Sequence, residues 1–362
     1  MKRFLPIILL ALLGFTSLAC LAATRAFSNP TPSPVVIPSE TPTQIPPSPV
    51  PPTPTLIPSP TPDTCPNGDC ITACLKEMGD ITQASSAAGE SKPIHKSFVL
   101  DEEYTLVKYT INADQITDPV DKDGLSNSLK DYQKDRTAQE QIWNYFAAII
   151  PSDYRKFLTE YIIFTDGKDN LLAAVEQSDN SPSEWALSVD IMDASNPQDL
   201  TFTLIHEYGH LLTLNPDQVI PSQRIFDNQI SESIYQKEKD ACPTFFPGEG
   251  CSNADSYINQ FFERFWPEIY PQWQAINNIE DEADYYSELD KFYIKHKDQF
   301  VSDYASTDPS EDIAETFSFF ILEPRPIGKT IADQKVLFFY GFPELVQLRD
   351  QIGRRLCAQL NK

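Results

Sequence analysis

An α+β fold is the expectation for this chain, and two observations lead to it. Segments of strand composition come first, between Tyr104 and Ile191, and helical periodicity dominates from Asn196 to Leu360. That order also suggests a cleft between a small N-terminal sheet with its backing helix and a mostly helical C-terminal subdomain.

Met1-Lys2-Arg3 supplies a positive start and Phe4 to Leu18 an apolar run, the pattern of an export signal over residues 1–26. Ser17-Leu18-Ala19-Cys20 resembles a bacterial lipobox, with its Leu two residues before the Cys where three is usual. Lipidation at Cys20, ordinary cleavage near Ala22 to Ala26 and an uncleaved anchor all place the rest outside the cytoplasm. Residues 27–63 are rich in Pro, Ser and Thr and carry almost no charge. Such a segment is an extended, solvated tether. A Cys-containing segment, 64–95, joins it to a domain expected over 96–362, with an insertion at about 217–300.

Six cysteines remain after Cys20: Cys65, Cys70, Cys74, Cys242, Cys251 and Cys357. An even number in an exported chain suggests disulfides. Cys242 and Cys251 flank a turn-rich loop they could close locally, and Cys357 could join the N-terminal cluster, although spacing alone leaves the pairing open.

Ser97 to Leu100 and Tyr104 to Asn112 read as strands, and Asp121-Lys122-Asp123-Gly124 as a turn. Thr137 to Ile150 reads as an amphipathic helix stopped by Pro151. Three strands follow, Glu160 to Thr165, Leu171 to Gln177 and Glu184 to Ile191, divided at Asp166-Gly167 and at Asp179 to Pro182.

The net charge of −24 opposes phosphate backbones, which excludes nucleic acid as a partner, and restricts membrane contact to the N-terminal anchor. The chain has only four histidines, and two stand in His206-Glu207-Tyr208-Gly209-His210. Asn196 and Pro197 open the helix beneath them and Asn215-Pro216 ends it. Residues four apart share a helix face, so both imidazoles can bind one metal ion, with Glu207 placed to take a proton from water.

A catalytic zinc needs a third protein ligand. Glu311 is the candidate, in Asp308-Pro309-Ser310-Glu311-Asp312-Ile313-Ala314-Glu315, where Glu311 and Glu315 share a face. A capping-box role with Asp308 is the alternative for Glu311, and Glu232 is a rival ligand.

His206-Glu207-Tyr208-Gly209-His210 followed by Tyr304-x6-Glu311-x3-Glu315 resembles the gluzincins related to the anthrax lethal factor catalytic domain and the secreted Pro-Pro endopeptidases. The resemblance implies a zincin-like fold holding one Zn²⁺ per chain on His206, His210 and Glu311. It further implies Glu207 as general base, Tyr304 as the oxyanion donor and Glu315 as a supporting carboxylate. The expected activity is that of an exported endopeptidase acting on protein or peptide substrates. A catalytically inactive surface binding protein of the same fold is the competing expectation. The resemblance also suggests that the strand before the zinc helix, at Trp185 to Asp190, is an edge that pairs with extended substrate. The interval from His210 to Glu311, about 100 residues, exceeds that of compact relatives, so substrate preference does not carry over.

Overall fold

Two adjacent strands, β1 (Tyr104–Asn112) and β2 (Gln115–Asp121), begin the sheet as an antiparallel hairpin. The computed structural model describes Cys74 and residues 78–82, 104–167, 171–228 and 231–360, so the expected leader, tether and Ser97–Leu100 strand lie outside the described residues. Helices α1 (Asn127–Lys134) and α2 (Arg136–Ile149) follow. α2 backs the sheet, with Trp143 packed on Tyr161 of β3 (Leu158–Thr165) at a ring separation of 5.3 Å.

β4 (Ala173–Ser178) and β5 (Ser181–Asp190) complete a five-stranded sheet ordered β2-β1-β3-β5-β4. Only the β3–β5 pair is parallel. The expectation of an edge at Trp185 to Asp190 is therefore corrected. β5 is bonded to β3 on one side and β4 on the other, which leaves it no open edge, and β4 forms the border instead. The physical reason is nonlocal: β4 and β5 make a tight hairpin, and β5 rather than β4 then pairs with β3.

α3 (Pro197–Leu214) begins where the sequence predicts, with the Asn196 side chain accepting from the Gln198 N–H at 3.0 Å. It carries the His206–His210 segment. The following segment holds β6 (Val219–Pro221), α4 (Gln223–Phe226), α5 (Glu232–Ala241), β7 (Gly250–Ser252), α6 (Tyr257–Phe265), α7 (Tyr270–Asn277) and α8 (Glu282–Lys295). Its aromatic residues are core: Phe261 and Trp266 are fully buried. α9 (Pro309–Leu322), α10 (Ile331–Phe339) and α11 (Pro343–Leu360) close the chain. The mixed sheet and helical second half make an α+β protein.

Two disulfides occur among the described residues. Cys242–Cys251 closes the local loop, and Cys74–Cys357 ties the last helix to the segment preceding the sheet. No described helix is long and apolar enough to cross a membrane.

Candidate metal centre

α3 and α9 lie directly against each other, and Gly209 is what allows the approach. A Cβ there would sit 3.1 Å from the Ala314 Cα and 3.3 Å from its carbonyl oxygen, closer than a side chain ordinarily packs. α9 starts at Pro309 with Asp308 as its cap, the Asp308 side chain accepting from the Ser310 N–H at 2.7 Å. That arrangement leaves Glu311 free to face α3, so the capping-box alternative for Glu311 gives way to contact with the imidazoles.

His206, His210 and Glu311 converge on one point, and all three are buried. The two Nε2 atoms are 3.0 Å apart, and Glu311 Oε2 lies 3.1 Å from His206 Nε2 and 3.2 Å from His210 Nε2. Ligand atoms each 2.0–2.1 Å from a tetrahedral zinc stand roughly 3.3 Å from one another, so the three separations come within a few tenths of an ångström of that polyhedron. Two neutral imidazoles cannot both present a lone pair to the other's Nε2 without a proton or a cation between them. The donor set of two nitrogens and one carboxylate oxygen suits a borderline metal. The cluster could hold a metal ion.

The electrostatics agree. Burial pushes the His206 imidazolium down, but the Glu311 and Glu315 carboxylates beside it outweigh that and raise it. Burial likewise pushes Glu311 up, yet His210 and His206 hold it well below the usual carboxylate range. The site thus demands positive charge in its centre, which protons or a divalent ion can supply.

The remaining predicted residues gather around this point. Glu315 Oε1 lies 2.9 Å from His206 Nδ1, within ion-pair reach of the ring. The Tyr304 ring sits 5.8 Å from that of His206, and burial together with the nearby Glu311 charge holds its hydroxyl well above the ordinary phenol range. Glu207 is buried beside the pair, and burial raises its carboxyl above the ordinary value. Glu232 is excluded as a ligand, being exposed at the start of α5.

Two contributors have no signature in the sequence. The Ser302 hydroxyl donates to Glu315 Oε2 at 2.6 Å, fixing the carboxylate that meets His206. The Val175 backbone N–H, on border strand β4, donates to Glu207 Oε2 at 2.8 Å. A backbone donor leaves no mark on residue type, and the serine lies outside the recognised motif. Asp312, beside Glu311, points away into a separate buried cluster where it pairs with Lys335 and accepts from Trp266 Nε1 at 2.8 Å. No protein family, no curated protein and no solved structure matches this chain.

Proposed function

We propose that the chain is an exported zinc-dependent endopeptidase of zincin-like fold, hydrolysing peptide bonds in protein or peptide substrates. The observation that carries this reading is the convergence of His206, His210 and Glu311 within 3.2 Å, with Glu207 held alongside. Zinc on those three ligands supplies Lewis acidity toward a carbonyl and lowers the pKa of water.

The chain's own groups then divide the work. Glu207 accepts the proton of the attacking water and passes it to the leaving amine. Its raised carboxyl and its bond from Val175 N–H make it a positioned base rather than a solvated charge. The Tyr304 hydroxyl donates to the oxygen that becomes negative as the carbonyl turns tetrahedral. Glu315, held by Ser302, keeps the His206 ring aimed. β4 pairs only with β5 among the described residues, so substrate backbone in this reading lines up along β4. Export agrees with the two disulfides and with the signal-like N-terminus. In this reading the Pro-rich tether holds the enzyme away from the surface that anchors it.

Cleavage of a peptide library by the full chain, compared with Glu207→Gln, tests the reading. Turnover by the wild type that disappears in the variant is the expected result. Equal turnover by both would remove Glu207 as the base, and zinc-loaded wild type that cuts nothing would leave a binding protein.

A further inference from the structure

A second set of carboxylates lies at the ends of β3 and β5. Asp190 is the last residue of β5, and Asp166 follows β3 directly. Asp193 stands in the turn between β5 and α3. Because β3 and β5 run parallel, with Phe164 opposite Asp190, their C-terminal ends bring Asp166 and Asp190 together. One oxygen from each of the three aspartates lies within 4.8 Å of the others.

Three acidic groups so close are costly unless something compensates them. Asp190 is 0% and Asp166 6% exposed. Each described ion pair lies elsewhere, so no described Lys, Arg or His neutralises them. Backbone N–H groups satisfy part of the cluster. Met192 donates to Asp190 Oδ1 at 2.6 Å, Asp166 to Asp190 Oδ2 at 2.9 Å, and Leu171 to Asp166 Oδ2 at 3.2 Å. Asp166 Oδ1 is buried with no hydrogen-bond partner. A buried, unpartnered carboxylate oxygen in a group with two more carboxylates is satisfied best by a cation.

We propose that Asp166, Asp190 and Asp193 form a structural calcium site separate from the His206–His210–Glu311 centre. The donors are all oxygen, which selects a hard cation over zinc or copper. Calcium accepts six to eight oxygens in a flexible shell whereas magnesium demands a near-octahedral one, so three carboxylate oxygens spread within 4.8 Å suit calcium. Calcium there cross-links the end of β3, the end of β5 and the turn that leads into α3. It also braces the Leu171 segment leading to β4, whose Val175 N–H holds Glu207.

Calcium titration of the zinc-loaded full chain, followed by calorimetry and by thermal unfolding up to about 10 mM calcium, tests the site. One calcium per chain and a Tm rise of about 5 °C are expected at saturating metal. Asp193→Asn and the isosteric Asp166→Asn should each weaken calcium binding at least about tenfold, since each deletes a charged ligand. His206→Ala should keep the full calcium response, which separates this site from the zinc centre. Absence of heat and of any Tm shift in the wild type would overturn the proposal. A response to magnesium but not to calcium, or a calcium response undiminished in both aspartate variants, would do the same.

Discussion

Glu311 and Asp312 are neighbours on α9, both buried, and they face opposite fates. Asp312 meets a countercharge built into the core, the ammonium of Lys335, which is itself 0% exposed and surrounded by the rings of Phe261, Phe265, Trp266 and Phe300. Glu311 meets two imidazoles, whose charge depends on protonation. Even with Lys335 beside it, burial pushes Asp312 up to about 6, while the imidazoles hold Glu311 well below its usual range. The lesson is that one carboxylate is locked into the architecture and the next belongs to a cluster that could hold a metal ion. The first holds α9 in place, and the second uses the position so obtained.

Substitutions on either side of this pair sharpen the contrast. The largest effect is expected at Glu207, where Glu207→Gln should lower kcat about 10³- to 10⁴-fold in a peptide-cleavage assay while zinc stays bound. On the structural side, Lys335→Met leaves Asp312 buried without its partner and should cost about 3–5 kcal/mol in denaturant unfolding. Replacing both members, Asp312→Asn with Lys335→Met, should recover most of that loss because no buried charge remains. If the single and double variants unfold alike, Lys335 is not what compensates Asp312.

Tyr304→Phe removes only a hydroxyl and should reduce kcat about 10²-fold with KM and zinc content little changed. A loss confined to KM would point to substrate binding rather than oxyanion stabilisation. Smallest is Glu315→Gln, which should weaken zinc about tenfold in a competitive chelator titration, since it relaxes the ring that Glu315 orients.

The candidate site is legible in the sequence because its signals are local. Histidines four apart stack on one helix face, Asn196 and Pro197 mark that helix's start, and Asp308 and Pro309 mark the start of α9. β1 matches the predicted Tyr104 to Asn112, since its apolar and β-branched residues need no partner to be recognised. β2 leaves no signal in the sequence because it is an exposed border strand containing Pro119, with no buried face to produce alternation. α1 is equally silent: it buries only Leu129 and Gln133, and Gln133 serves by donating to the Leu106 and Lys122 carbonyls. Strand order was beyond reach, because which of β4 and β5 touches β3 depends on pairing across the fold. Asp166-Gly167 read as a turn, and nothing in its sequence revealed that Asp190 would come to lie beside it.

Metal content of the purified full chain after exhaustive dialysis bears most directly on the centre between α3 and α9. About one zinc per chain is expected in the wild type and in Glu207→Gln, and almost none in His206→Ala or Glu311→Gln. Zinc retained at full occupancy by Glu311→Gln, or a wild type that binds none, would contradict the assignment of these three side chains as its ligands.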